Sequence, residues 1–300
     1  MPRTVARICL PLALAVVLLW VLEPPVTADP ANTVVDPLAG TPVRGVYVRA
    51  PQGQLAPGRP MQVLLALHGM GGSGPDFSRD LADQADLNGW LIVAPTIEYG
   101  DWTNPAVVAR EDPLIIQTLN AYLDGLPALV GAPMRHLVLI LGHSRGAQLA
   151  HRFAEFRPDR VLAVAALSAG TYTLPIADGP DGTLSFPFGV RDLDQYAGHA
   201  FDVARFETVA IWVGVGGQDT NPNEVPRQWD NVEGSTRVQR AQAFEAAAEQ
   251  LGANAVLRIF TNAGHGITGE MRAAACDFLE GSVQAPRTRR DLFAVDVAPN

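Results

Sequence analysis

The sequence predicts an α/β protein: a mostly parallel central sheet with helices on both faces and a short lid-like insertion. Three observations carry that expectation. Short apolar runs alternate with stretches of helical spacing from residue 43 to residue 280, the pattern that places crossover helices on both sides of a parallel sheet. Residues 168–207 interrupt the alternation with glycine, proline and aromatic residues of no clear period. A chain of 300 residues, 48% hydrophobic and 18% charged, is long enough and apolar enough to bury one large core.

The elements follow in order. Residues 43–49 and 61–67 read as strands, joined by a turn-rich 51–60. Phe77, Leu81 and Ala85 have helical spacing and predict a helix over 77–88. Residues 90–94 are a buried-strand run that Pro95 should end. A helix is expected over 113–126, with Pro113 at its first position. Then come strand 137–141, helix 147–156, strand 161–167, strand 208–214, helix 235–251, strand 255–260 and helix 269–279. Residues 168–207 read as a lid over the sheet edge, or else as a long loop packing its own aromatics. Residues 29–42 read as a linker and 281–300 as a polar tail.

The N-terminus has the layout of a secretory signal peptide over residues 1–28. Arg3 and Arg7 precede an uncharged apolar stretch at 8–22, Glu23-Pro24-Pro25 ends it, and Val26-Thr27-Ala28 supplies small residues before Asp29. The stretch is shorter than the ~20 residues a membrane span needs. The expected location is therefore outside the cell or in its envelope, with membrane contact only through an uncleaved leader. Cys9 would leave with the leader, and Cys276 alone permits no intrachain disulfide. Cys276 is expected to be a small buried apolar residue.

Net charge is −9, which argues against nucleic-acid binding. All 22 basic residues are arginine. Without lysine there is no Schiff-base lysine, no P-loop lysine and no Ser-Lys dyad.

The chemistry is concentrated in Gly142-His143-Ser144-Arg145-Gly146, which lies between an apolar strand and a helix. Strand, Gly-x-Ser-x-Gly, helix is the setting of a nucleophile elbow, whose tight turn projects a serine hydroxyl from the sheet's carboxyl edge. A serine hydroxyl needs a base, and that base is a histidine oriented by a carboxylate. His265 follows strand 255–260 in a loop of small residues and suits the role. His136 precedes a strand, His151 lies inside a helix, and His143 should point elsewhere; His199 is the competitor. Asp219 follows strand 208–214 in Gly216-Gly217-Gln218-Asp219 and could reach His265, although Thr-Asn-Pro after it also favours an Asx-turn aspartate. Asp194, Asp202 and Glu224 are weaker candidates.

The segment His68-Gly69-Met70-Gly71-Gly72-Ser73-Gly74 follows strand 61–67. Its glycines let backbone N–H groups face a developing oxyanion; the amides of Met70 and Arg145 are the expected pair, with that of Gly71 the neighbouring candidate. Gly69-x-Gly71-x-x-Gly74 also fits a dinucleotide fingerprint. That alternative leaves Ser144, Asp219 and His265 without a role, and the next strand ends in only a weak acidic signal at Glu98.

Together, HGMGG at 68–72, GHSRG at 142–146, GGQD at 216–219 and AGHG at 263–266 resemble the α/β-hydrolase superfamily over residues 43–280. The order Ser144, Asp219, His265 is that of its nucleophile, acid and base. Within the superfamily the chain is similar to secreted esterases related to polyhydroxybutyrate depolymerases and feruloyl esterases. Trp229-Asp230 through Gly234, Arg237 and Arg240-Ala241 are similar to a pattern in that group. The chain lacks the disulfides of many polymer-degrading relatives and an appended polymer-binding module, which counts against polymer hydrolysis.

The resemblance implies a serine hydrolase that cleaves small-molecule or polymeric carboxylic esters, with no metal or organic cofactor. Tyr99, Trp102, Phe186 and Phe188 are candidate lining residues of a substrate pocket, with core packing as the alternative. A peptidase or amidase on the same fold, and an exported binding protein on a silent scaffold, are the rival readings.

Overall fold

A computed structural model describes residues 40–53 and 58–285 of the chain. The expected signal peptide, residues 29–39 of the linker and residues 286–300 of the tail lie outside these. The described residues contain nine strands. They are β1 (Val43–Arg49), β2 (Gln62–Leu67), β3 (Trp90–Ile97), β4 (Val138–His143), β5 (Val161–Leu167), β6 (Asp178–Gly179), β7 (Gly182–Thr183), β8 (Ala210–Gly216) and β9 (Asn254–Phe260). Seven form one sheet in the order β1-β3-β2-β4-β5-β8-β9, and β6 pairs with β7 as a separate hairpin. Only β1 is antiparallel, against β3; every other pairing in the large sheet is parallel. The helices are α1 (Gly74–Arg79), α2 (Ala82–Asn88), α3 (Pro105–Val130), α4 (Arg145–Phe156), α5 (Asp194–Ala197), α6 (Val203–Phe206), α7 (Asp230–Glu233), α8 (Arg237–Leu251) and α9 (Gly269–Gln284).

The sheet divides the interior into two cores, and the period-two alternation of each strand supplies both. Val63, Leu65 and Leu67 of β2 face one side with Leu119 and Leu123 of α3, Leu149 and Phe153 of α4 and Phe244 of α8. Leu64 and Ala66 face the other with Ala85 of α2 and Met271, Ala275 and Leu279 of α9. Both faces of the sheet are covered, so β2 is buried at every position. Cys276 is buried in the α9 core, and burial pushes its thiol up to about 12, as suits an inert packing residue.

All twelve residues of α4 are buried, including Arg145, Arg152 and Glu155. One side of α4 packs on the sheet. The other lies under the start of the 168–207 excursion, which also holds β6, β7, α5 and α6. Arg152 donates from Nε to Thr173 Oγ1 at 3.0 Å and from Nη2 to Thr171 Oγ1 at 2.9 Å. The amide of Thr173 donates to His151 Nε2 at 3.0 Å. Asp112 on α3 accepts from both Arg145 and Arg152, which pairs two otherwise costly buried cations.

Several element boundaries depart from the sequence reading. Pro95 does not end β3; the strand runs to Ile97. Beyond Val93 it pairs only with β1, where Pro95 faces Val46, and β2 has no partner for the missing N–H. Pro113 is not a first helical position. The helix begins at Pro105 behind the cap Asn104, whose Oδ1 accepts from the Ala106 amide at 3.0 Å, and Pro113 and Pro127 lie inside it. The apolar face Ile115, Leu119, Leu123 and Leu126 outweighs the lost backbone bonds. The single helix expected over 77–88 is two, α1 and α2, separated at Asp80 and Leu81. The tail expected from 281 begins later, because α9 continues to Gln284.

Candidate active site

Ser144 sits between β4 and α4 with φ 53° and ψ −115°, a region that non-glycine residues rarely occupy. The flanking glycines make the turn feasible. A Cβ on Gly142 would fall 2.2 Å from the Gly146 carbonyl oxygen, and one on Gly146 would fall 2.1 Å from that of Leu67. No side chain fits at either position, so the strand and helix approach only with glycine there. The Ser144 amide donates to Leu167 O on β5 at 2.8 Å, which ties the elbow to the neighbouring strand.

Asp219 and His265 come from adjacent strand ends. The turn after β8 and the loop after β9 run side by side: Gly217 N donates to Phe260 O at 2.8 Å and Gln218 N to Ala263 O at 2.9 Å. A Cβ on Gly216 would lie 2.1 Å from Gly264 O, so the close approach requires glycine. The result is a continuous chain of hydrogen bonds. His265 Nδ1 donates to Asp219 Oδ2 at 2.9 Å, and Ser144 Oγ donates to His265 Nε2 at 3.0 Å. The carboxylate only accepts, so it selects the tautomer with the proton on Nδ1 and leaves Nε2 free to take the serine proton. Asp219 is buried and its other oxygen accepts from Arg237 Nη1 at 2.8 Å. Burial acts to raise the Asp219 carboxyl. The hydrogen bond from His265 and the charge of Arg237 outweigh it and hold the group below the ordinary aspartate range.

The glycine loop after β2 lies against the elbow. A Cβ on Gly69 would sit 3.3 Å from Ser144 Cβ. The loop turns at Gly71, whose φ is +69°, with Gly72 N donating to Gly69 O at 3.2 Å. Among the described residues neither the Met70 amide nor that of Arg145, the first residue of α4, donates to another group. His68 fixes the base of the loop: its Nε2 accepts from Ile97 N at 2.9 Å, so Nδ1 carries the proton donated to Gly69 O at 2.6 Å. Burial lowers the proton affinity of this ring and keeps it neutral.

The four aromatic candidates differ in burial. Phe186 is a core residue, buried between Phe156 and Tyr196. Tyr99 is also buried, beneath the Arg145 guanidinium at 4.7 Å from its ring centre and against His68. Both side chains are buried in packing contacts, the alternative that the sequence reading left open. Phe188 is half-buried against Trp229. Trp102 is half-buried and packs over Gly170, close to the amide nitrogen of Gln148, one turn along α4 from Ser144.

Sequence reasoning missed two supports of the site. His143 Nε2 meets the carbonyl oxygen of His265 at 2.9 Å. Arg237 reaches Asp219 from the start of α8. The rival His199 is exposed, and among the described residues it bonds its neighbour's carbonyl, at Ala200. Among the described residues no group of histidine, cysteine or acidic side chains could hold a metal ion.

Sheet order, strand directions and the serine elbow define the α/β-hydrolase fold, and comparison with solved structures agrees. A poly(aspartic acid) hydrolase from Sphingomonas sp. KT-1 superposes with a TM-score of 0.64 at 21% identity, covering 83% of this chain and 97% of that one. A poly(3-hydroxybutyrate) depolymerase from Bordetella parapertussis gives 0.58 at 23% identity, covering 87% and 90%. A ferulic acid esterase gives 0.53 at 19% identity, covering 79% and 91%. No family model matches the chain, and no curated protein matches it significantly in sequence.

Proposed function

We propose that this chain is an exported serine hydrolase acting on carboxylic esters through an acyl-enzyme. The reading rests on one observation, the unbroken hydrogen-bond chain Ser144–His265–Asp219. Ser144 Oγ attacks the ester carbonyl carbon while its proton passes to His265 Nε2. The carbonyl oxygen takes the negative charge and is held by the amides of Met70 and Arg145. The tetrahedral intermediate collapses, His265 gives its proton to the departing alkoxide, and the acyl group stays on Ser144. Water then attacks the acyl carbon, with His265 taking its proton and returning it to Ser144. Asp219 remains ionised throughout and stabilises the imidazolium. The expected partner is a small-molecule or polymeric ester; the acidic charge does not suit nucleic acid.

The test is Ser144→Ala on p-nitrophenyl acetate and butyrate, with fluorophosphonate labelling of the unmutated protein. Loss of turnover and a label on the Ser144 peptide are expected; full turnover by the variant sinks the reading. Parallel assays on peptide and aspartyl-amide substrates decide between ester and amide cleavage, since the neighbour acting on poly(aspartic acid) shares the fold. Export through residues 1–28 is tested by sequencing the N-terminus of protein recovered outside the cytoplasm, with Asp29 expected first.

A further inference from the structure

We propose that Arg237 is a positioning residue of this site, fixing the Asp219 carboxylate so that one oxygen faces the imidazole and supplying the fixed positive charge behind it. The proposal rests on the serine-hydrolase reading above. Arg237 opens α8, where Thr236 caps the helix by accepting from Gln239 N at 3.2 Å. Its side chain is 5% exposed and reaches back to the turn after β8. Nη1 donates to Asp219 Oδ1 at 2.8 Å and to Glu224 Oε2 at 3.2 Å, while Nη2 donates to Glu224 O at 2.9 Å.

The two oxygens of Asp219 therefore have separate donors, Arg237 on Oδ1 and His265 on Oδ2. A carboxylate held at one oxygen only is free to rotate about its Cβ–Cγ bond. Held at both, it presents Oδ2 to Nδ1 in one geometry. The planar guanidinium makes its contacts with two nitrogens, a geometry a lysine ammonium cannot reproduce.

Charge distinguishes this role from simple packing. Among the described residues, the titratable and charged groups around the His265 imidazole are Asp219, His143 with its ring centre 5.1 Å away, and, behind the carboxylate, Arg237 with the half-exposed Glu224. Burial keeps His143 neutral. Arg237 is therefore the cation that opposes formation of the imidazolium. Its removal leaves Asp219 and Glu224 without that counter-charge, and both then favour the protonated base. The acidic limb of the pH–rate profile moves to higher pH.

The experiment measures kcat and KM for p-nitrophenyl butyrate from pH 5 to 9 in the unmutated protein, Arg237→Gln and Arg237→Lys, with circular dichroism for folding. For Arg237→Gln, kcat falls roughly tenfold with KM within about twofold, and the acidic limb moves up by roughly 0.5 of a pH unit or more. For Arg237→Lys the limb stays in place while kcat remains depressed. A loss in Arg237→Gln that is equal at every pH, or full kcat in Arg237→Lys, overturns the proposal. If Arg237→Gln does not fold, the lysine variant decides by its kcat. An inert unmutated protein sinks the hydrolase reading and this inference with it, whereas an active one with unmoved variants sinks the inference alone.

Discussion

His143 donates from Nε2 to the carbonyl oxygen of His265 at 2.9 Å, so the residue before the candidate nucleophile holds the loop that carries the candidate base. The carbonyl can only accept, which places the proton on Nε2. A net hydrogen bond of about 1 kcal/mol is roughly a fivefold population difference between ordered and displaced loop. His143→Ala should lower kcat by roughly three- to tenfold with KM little changed, because the loss is in geometry at the reacting centre. Steady-state kinetics on the folded variant check this; unchanged kcat would show that the loop holds its place without the contact.

His68 ties the glycine loop to the end of β3 through its two ring nitrogens. His68→Ala leaves the buried Ile97 amide without its acceptor, at a cost of about 1–3 kcal/mol. Urea unfolding should report that loss as a lower midpoint with unchanged slope. Ester turnover should fall as well, because the Met70 amide is carried by the released segment.

Glu233 is buried, and burial pushes its carboxyl up to about 8 from an ordinary value near 4.5, against the pull of the Tyr172 amide, Arg240 and Arg152. The folded state therefore holds this proton between about pH 4.5 and pH 8 while the unfolded chain releases it. More protons on the folded state means stability that declines as pH rises through that window. Glu155, buried without a hydrogen-bond partner among the described residues, shifts in the same direction. Glu233→Gln should flatten the dependence, raising Tm at pH 8 relative to the unmutated protein while changing it far less at pH 4.5. Thermal melts across that range decide; parallel curves would exclude Glu233 as the titrating group.

Two glycines on helices should respond to alanine in opposite senses. Gly146→Ala drives a methyl group into the Leu67 and His68 carbonyls and should destabilise by about 1–3 kcal/mol with loss of turnover. Gly125 lies exposed within α3, and a Cβ there meets nothing within 4 Å. Gly125→Ala should stabilise by roughly 0.5–1 kcal/mol. Denaturant melts of the pair test the two signs together.

Much of the site is legible in the sequence because its geometry leaves marks. The elbow needs glycine at 142 and 146, and the approach of two loops needs it at 216; each small residue brackets a functional one. The covered faces of the sheet follow from apolar runs, whereas the strand order is set by long-range pairing that those runs do not specify. The supports were harder to read. A histidine beside a serine and an arginine at a helix start carry no sign of the distant loop each will meet. Buried charge was illegible for a related reason. The polar side of α4, with Arg145, Arg152 and Glu155, looks like a solvated face, and only the fold shows that another segment covers it. Pro95 and Pro113 misled because a local rule met a tertiary context that removed its cost.

The stretch at 171–173 is bonded to α4 by side chain and by main chain, with Tyr172 N also donating to Glu233 at 3.0 Å. Trimming the chain to a minimal scaffold at this point would strip the Arg152 guanidinium of its two threonine acceptors and the His151 imidazole of its amide donor, and the truncated product should aggregate rather than fold. The hairpin tip at Pro180–Asp181 is solvent-facing and is the place where a peptide tag or a transplanted binding segment should be accommodated.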